Sequence, residues 1–159
     1  HSMVSLRNTI DYLERYMEME HIRNSLFTHQ VTIDPALDMD ETMVPPMLIQ
    51  PFIENALWHG VSAGDKRIHV KIKKKKANDN LVCTIDDNGM GIDHSRQQSH
   101  SNGRHQPVGI ANIQTRVGLL NEKYNLHAQI SIVDKKYLPE QHETGTIVTL
   151  QLPLDIEEL

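Results

Sequence analysis

Apolar side chains recur along the first part of the chain with the spacing of a helix. Between Leu6 and Leu26, the apolar positions Leu6, Ile10, Leu13 and Met17 lie four, three and four residues apart. This spacing predicts an amphipathic helix of about five turns. The narrow apolar stripe leaves two arrangements open, a piece of a helical bundle or coiled coil, or a helix that packs onto the domain behind it.

The rest of the chain alternates between strand and helix patterns. Proline is tolerated in a first helical turn, so Pro46 to Gly60 predicts a buried helix that ends at glycine. A second helix is predicted from Gly109, with its apolar positions continuing to Leu120. The polar stretch 93–107 has no hydrophobic period and is expected to be a lid-like loop. Strands are predicted at 31–33, at 68–72 and 81–85 as a hairpin, and at 130–132 and 147–152.

Composition narrows the class of protein. A chain of 159 residues has room for one domain, and its net charge of -5 gives no basic face for nucleic acid. Its single cysteine, Cys83, lies in an apolar alternating segment, which favours a core residue in a reducing compartment, hence the cytoplasm. The opening residues 1–3 are expected to be a vector remnant, and no apolar stretch approaches the roughly twenty residues that span a bilayer.

The sequence Asp-Asp-Asn-Gly-Met-Gly-Ile at 86–92 carries the strongest local signal. A lone Gly-x-Gly is weak evidence, and neither a Rossmann fingerprint nor a phosphate-binding P-loop occurs in the sequence. Three further motifs accompany it in a fixed order: Glu-Asn-Ala-Leu-Trp-His-Gly at 54–60, Val-Gly-Ile-Ala-Asn at 108–112 and Glu-Thr-Gly-Thr at 143–146. Together they resemble the N, G1 and G2 boxes and the final Gly-Thr strand of the ATP-binding superfamily of gyrase, Hsp-ninety chaperones, histidine kinases and MutL.

Within that superfamily the chain resembles the LytS-like sensor histidine kinases. The resemblance rests on the segments 15–16, 20–23, 44–46, 50–51 and 54–60, and the superfamily likeness covers residues 30–154. It implies an α/β two-layer sandwich, the Bergerat ATP-binding fold, in which a mixed β-sheet carries helices on one face. It also implies a division into an N-terminal amphipathic helix at 1–28, the end of a dimerisation region, and an ATP-binding catalytic domain at 29–155.

The resemblance gives each motif a role in binding Mg²⁺ and ATP. Asn55 is the implied Mg²⁺ ligand, since its side-chain carbonyl can complete a shell of phosphate oxygens and water. Glu54 beside it is placed with the catalytic residues. His59, one turn further on, would face the same pocket and contact ribose or phosphate. Asp87 would accept a hydrogen bond from the exocyclic amine of adenine, whereas guanine presents an oxygen there.

The remaining implied contacts involve the nucleotide backbone. Gly89 and Gly91 would allow close ligand approach, and Gly109 with Ile110 would place a helix N-terminus at the triphosphate. Thr146 completes the implied ATP-binding set. The chain departs from the commonest family pattern at two positions, Ala111 in place of the second G2 glycine and Trp58 where many kinases carry a phosphate-binding lysine.

The implied activity is that of a protein-histidine kinase, which transfers the γ-phosphate of Mg-ATP to a histidine outside these residues. The implied partners are the helical segment of the parent kinase that carries the acceptor histidine, and a downstream response regulator. The parent is expected to be a homodimer anchored in a membrane, with this domain on the cytoplasmic side. Two rival functions remain: a non-catalytic nucleotide-binding adaptor, and a gyrase-like or chaperone-like ATPase, whose catalytic glutamate position is here Pro51.

Overall fold

A computed structural model describes residues 3–59, 65–75, 79–89, 110–140 and 143–154 of the chain. The elements follow in the order β1 (Val4–Ser5), α1 (Leu6–Arg23), β2 (Thr28–Ile33), β3 (Met43–Val44), α2 (Gln50–His59), β4 (Arg67–Lys75), β5 (Asn80–Asp87), α3 (Ile110–Tyr124), β6 (Gln129–Asp134), a 3₁₀ turn (Lys135–Tyr137) and β7 (Thr146–Pro153). The predicted lid at 93–107 lies outside the described residues. No helix among the described residues is long and apolar enough to cross a membrane.

Five strands form one mixed sheet in the order β2-β4-β5-β7-β6. β2 runs parallel to β4, and the other neighbouring pairs are antiparallel. The predicted hairpin is confirmed as β4 and β5, with Ile72 opposite Cys83. Cys83 is 1 % exposed and burial raises the pKa of its thiol to about 12, so its predicted place in the core is also confirmed.

Strand alternation directs the apolar residues of β4, β5 and β7 to one face of the sheet. Ile68, Val70 and Ile72 are at most 1 % exposed, while their neighbours on β4 are less buried. The buried face belongs to the same hydrophobic cluster as residues of α1, α2 and α3. This is the α/β arrangement that the sequence predicts, a mixed sheet with helices on one face.

α1 packs onto this domain through its apolar stripe. Leu6, Ile10, Leu13 and Met17 are 0 to 2 % exposed and join the common core. Of the two arrangements left open by the sequence, the structure therefore shows packing onto the domain. The helix begins where Ser5 Oγ accepts a hydrogen bond from the Asn8 amide at 3.1 Å. The proposed boundary between residues 28 and 29 stays a prediction.

The structure corrects the predicted beginning of α2. The sequence pattern places it at Pro46, but the helix begins at Gln50. Met47 has a φ of 63°, a left-handed conformation that a right-handed helix cannot contain. Proline occupies the first turn nonetheless, because Pro51 follows Gln50 directly. The predicted glycine end at Gly60 lies outside the described residues.

Candidate functional site

A buried carboxylate marks the end of β5. Asp87 is 7 % exposed, although aspartate is rarely buried without a partner. Its Oδ1 accepts a hydrogen bond from the Gly89 amide at 2.8 Å, and the Thr146 amide also donates to the carboxylate. Burial raises the pKa of Asp87, an effect opposed by these amides and by the positive charges of Lys66 and Lys135. A buried carboxyl group whose pKa is perturbed in this way is typical of a functional site.

The Gly-Thr turn packs directly against this carboxylate. Thr146 is paired with Asp87 in the register of β5 and β7. Gly145 has a φ of 135°, and a β-carbon at this position would overlap the main-chain carbonyl of Asp87. Two motifs separated by more than fifty residues in the sequence are thus in contact, and the glycine is required for that contact.

The side-chain oxygen of Asn55 is unpaired within the part of the chain that the structure describes. Asn55 lies on α2, the helix that packs against β5. Its Oδ1 is buried and has no hydrogen-bond partner among residues 3–59, 65–75, 79–89, 110–140 and 143–154. Buried carbonyl oxygens are nearly always paired in folded proteins, so one without a partner among the described residues is a candidate for contact with a ligand, an ion or water.

Glu54 points toward α1. Its Oε1 accepts a hydrogen bond from Gln50 Nε2 at 2.9 Å, and the same nitrogen donates to the hydroxyl of Tyr12 at 3.0 Å. Burial, together with the negative charges of Glu54 and Glu20, raises the pKa of Tyr16 on α1. The two neighbouring residues of the N-box motif therefore have different surroundings, with Glu54 held between α2 and α1.

Lys66 is a site residue that the sequence analysis missed. It is 6 % exposed, and its Nζ donates to the carbonyl oxygens of Ala56 and Leu57 in the last turns of α2. Burial lowers the pKa of Lys66 to about 8, while the negative charges of Asp87 and Glu20 act in the opposite direction. The side chain of Lys66 thus joins the residue before β4 to the end of the helix that carries Asn55. A single lysine before a strand gives no sequence signal for this position.

An ion cluster lies at Asp86, the residue before Asp87 on β5, and the sequence motifs did not predict it. Lys135 is 1 % exposed and its Nζ contacts Asp86 at 2.5 Å and Glu143 at 2.9 Å. Burial opposes the charge of Lys135, but its hydrogen bonds to the two carboxylates outweigh this effect and raise its pKa. Arg67 forms a second ion pair with Glu143. The cluster fixes the beginning of β7 beside Asp87.

Several predicted site residues cannot be placed. Gly91 and Gly109 lie outside the described residues. His59 is the last residue of α2 and Ile110 is the first residue of α3. The structure describes the backbone of both residues but not their side chains. The structure therefore brings Asp87, Gly89 and Thr146 together and places Asn55 on α2, the helix that packs against β5.

The fold and the site together define a class of protein. The profile of the histidine kinase-, DNA gyrase B- and HSP90-like ATPase family matches residues 46–156. The chain belongs to this family. The predicted membership of the ATP-binding superfamily is thereby confirmed, and the catalytic Mg²⁺ and nucleotide contacts of individual residues stay predictions.

Curated relatives are sensor kinases. The chain is 26 % identical over 154 residues to the sensor histidine kinase YesM of Bacillus subtilis, covering 95 % of this chain and 24 % of YesM. It is 28 % identical over 138 residues to the sensor protein LytS of Oceanobacillus iheyensis, covering 80 % of this chain and 23 % of LytS. The chain thus spans about a quarter of the length of these relatives, and the expected resemblance to LytS-like kinases is confirmed.

Solved structures support the fold. The mycobacterial sensor histidine kinase MprB matches with a TM-score of 0.61 at 19 % identity, over 96 % of this chain and 97 % of that one. The catalytic domain of the histidine kinase ThkA in a nucleotide-free form matches with a TM-score of 0.58 at 13 % identity, over 96 % of this chain and 95 % of that one. The α/β fold predicted from the sequence is that of histidine kinase catalytic domains.

Proposed function

We propose that this chain is the ATP-binding catalytic domain of a two-component sensor protein-histidine kinase. In this proposal it presents the γ-phosphate of Mg-ATP to a histidine on a helical segment of the parent kinase. Family membership and the sensor kinases among its relatives support the reaction class. Catalysis in this class rests on positioning and charge neutralisation, with little covalent chemistry by the protein.

The observation that carries the proposal is the buried carboxylate of Asp87 beside the helix of Asn55. An ionised carboxylate only accepts hydrogen bonds, so it matches the exocyclic amine of adenine and opposes the oxygen that guanine presents at the same place. Oδ1 is already engaged by the Gly89 amide, while a carboxylate has further acceptor sites. We propose that the free acceptor capacity of Asp87 selects adenine.

The orphaned oxygen of Asn55 fits a hard cation. Side-chain carbonyl oxygens are ligands that Mg²⁺ accepts in an octahedral shell completed by phosphate oxygens and water. The structure leaves Asn55 Oδ1 buried without a hydrogen-bond partner in its described part, as expected of a ligand atom whose ion is supplied with the nucleotide. When bound, Mg²⁺ supplies charge neutralisation at the phosphates.

Other proposed roles follow the motifs. Gly89, Gly91 and Thr146 are proposed to line the nucleotide, His59 to contact ribose or phosphate, and Gly109 with Ile110 to offer helix amides to the triphosphate. For Glu54 we propose a contact with the acceptor histidine. Its partly buried carboxylate can accept a hydrogen bond from one imidazole nitrogen and so orient the other toward the phosphate.

The partners and setting extend this proposal to the parent protein. We propose a homodimeric parent anchored in a membrane, with this domain in the cytoplasm, and a response regulator that receives the phosphate from the acceptor histidine. The names of the relatives, a sensor histidine kinase and a sensor protein, support a two-component setting.

A gyrase-like ATPase is the less favoured function. The position that would carry its catalytic glutamate is Pro51, and the candidate Glu54 directly precedes Asn55 on α2, where adjacent side chains point in different directions. A non-catalytic adaptor would share the nucleotide site, so it is distinguished only by phosphotransfer. Trp58 and Ala111, the two departures from the family pattern, are the residues that favour this second candidate.

Asp87→Ala is expected to weaken ATP binding by about 1 to 3 kcal/mol, because a hydrogen bond to a charged acceptor is lost. Because the substitution also removes the acceptor of the Gly89 and Thr146 amides, thermal unfolding is measured first to establish that the variant is folded. Titration calorimetry with Mg-ATP measures the effect. The matched control is Asp79→Ala, which removes a half-buried aspartate paired with Lys74.

ATP affinity should be unchanged in the Asp79→Ala control. Equal ATP affinity in a folded Asp87→Ala protein would remove adenine recognition by this carboxylate from the proposal. Tight GTP binding by the unaltered protein would contradict it as well.

A further inference from the structure

The side chain of Gln50 is a buried amide in the first turn of α2. Gln50 is 8 % exposed, and its Nε2 lies 2.9 Å from Glu54 Oε1 and 3.0 Å from the hydroxyl oxygen of Tyr12. An ionised carboxylate only accepts hydrogen bonds, so the nitrogen of the amide and not its oxygen must face Glu54. One amide nitrogen therefore binds two different helices, α2 through Glu54 and α1 through Tyr12.

The oxygen of the same amide, Gln50 Oε1, is buried without a hydrogen-bond partner in the part of the chain that the structure describes. An unpaired amide oxygen costs free energy when it is removed from water, and an apolar side chain of similar length would avoid that cost. Packing alone therefore does not account for a glutamine at this position. What the amide contributes is the pair of hydrogen bonds that its nitrogen donates.

α1 fixes the Tyr12 end of this arrangement. The neighbouring positions Ile10 and Leu13 are 2 % and 1 % exposed and belong to the common core of the domain. The backbone of Tyr12 is held by this buried stripe, although its own ring is half-exposed. The Gln50 amide is thus oriented by a helix that is packed on the domain.

Glu54 is the group that the Gln50 amide holds. Residues four positions apart lie on the same side of a helix, so Gln50 reaches Glu54 across one turn of α2. A free glutamate side chain samples several rotamers, and a hydrogen bond to one of its oxygens restricts them. A carboxylate has acceptor sites on both oxygens, so the bond from Gln50 leaves capacity for an imidazole N–H.

We propose that Gln50 is a positioning residue for phosphotransfer, whose amide, anchored by Tyr12 of α1, holds the Glu54 carboxylate in the orientation that accepts the imidazole of the acceptor histidine. This inference rests on the proposed function, because it starts from the contact proposed there between Glu54 and that histidine. Gln50 acts through Glu54 and contacts neither the nucleotide nor the acceptor. Through Tyr12, the orientation of Glu54 depends on the packing of α1.

Gln50→Met removes the two hydrogen bonds with little change in the length of the side chain. Tyr12→Phe removes the hydroxyl alone, and Glu54→Ala removes the group on which Gln50 acts. Gln129→Met makes the same change at an exposed position at the beginning of β6 and is the matched control. The rate of transfer of labelled γ-phosphate is measured on a helical fragment that carries the acceptor histidine of a LytS-like kinase. Calorimetry with Mg-ATP and thermal unfolding accompany each rate.

Gln50→Met is expected to lower the transfer rate at saturating acceptor by about tenfold, the effect of one hydrogen bond to a charged group, with Mg-ATP affinity unchanged. Tyr12→Phe should lower it by about threefold, because Gln50 keeps Glu54 but loses its own anchor. Gln129→Met should transfer at the unaltered rate. In a Glu54→Ala protein, Gln50→Met should have no further effect, since the group that it positions is absent.

A purely structural role of Gln50 would lower ATP affinity together with transfer, and by the same factor whether Glu54 is present or replaced. That result would overturn the inference, as would an unaltered transfer rate in a folded Gln50→Met protein. Failure of both Gln50→Met and Gln50→Leu to fold would also overturn it, because the amide would then serve the fold alone. Absence of transfer by the unaltered chain is a separate result, which overturns the proposed function and this inference with it.

Discussion

An Asn55→Asp protein is expected to transfer no phosphate from Mg-ATP while keeping its fold. The substitution preserves the size of the side chain but adds a negative charge and removes the amide nitrogen at the position of the proposed Mg²⁺ ligand. Because transfer depends on the geometry of the metal and the phosphates, the loss should be about a thousandfold or more in rate. The orphaned Oδ1 of Asn55 is the structural basis for this expectation. The measurement is transfer of labelled phosphate to an acceptor fragment.

The matched control for this prediction is Asn8→Asp. Asn8 is an exposed residue in the first turn of α1, where an added negative charge is tolerated by the helix dipole. It should transfer phosphate at the unaltered rate. Thermal unfolding of both variants establishes that they are folded. Normal transfer by a folded Asn55→Asp protein would show that Asn55 does not organise the metal and phosphates.

Gly145→Ala is expected to be the most destabilising small substitution in the site. Gly145 has a φ of 135°, which residues with a β-carbon rarely adopt, and the added carbon would overlap the carbonyl oxygen of Asp87. Neither atom can move without disturbing the pairing of β5 with β7, since Thr146 is the register partner of Asp87. The free energy of unfolding should fall by about 3 kcal/mol or more. Urea titration measures the change.

Gly118→Ala is the control for the same chemical change elsewhere. Gly118 lies within α3, and a β-carbon there meets no atom within 4 Å. Alanine should therefore raise the free energy of unfolding by about 0.5 to 1 kcal/mol, the usual gain in a helix interior. Should Gly145→Ala unfold at the same urea concentration as the unaltered protein, the close packing of the Gly-Thr turn on Asp87 would be wrong.

Periodicity was sufficient to predict most of the secondary structure. The alternation around Ile72 and Cys83 predicts the hairpin, because every second residue faces the same buried side of the sheet. The helical spacing in α1 predicts its buried stripe, because residues three and four positions apart lie on the same side of a helix. This spacing does not distinguish a coiled coil from packing onto the domain, since both bury one side of a helix. Only the tertiary structure shows Leu13 inside the common core.

Features that depend on tertiary contacts could not be predicted from the pattern of apolar and polar residues. The parallel pairing of β2 with β4 joins strands that are distant in the chain, and strand alternation carries no information about direction. Met47 has a left-handed backbone conformation, so α2 begins at Gln50 and not at Pro46. Methionine has no preference for that conformation, so the sequence could not predict it. The motifs identified Asn55 and Asp87, because their residue types and spacing are distinctive. Lys66 was not identified, because its role arises from where it is buried.

Phosphotransfer in trans tests the central claim most directly. The unaltered chain is incubated with Mg-ATP labelled at the γ-phosphate, with and without a separate helical fragment that carries the acceptor histidine of a LytS-like kinase. We expect acid-labile, alkali-stable label on that fragment and none on the chain itself, whose ten histidines include none in the family's acceptor context. ATP binding without any label on the fragment would contradict the kinase proposal in favour of the adaptor, and label on a histidine of the chain would contradict the expectation that the acceptor lies outside these residues.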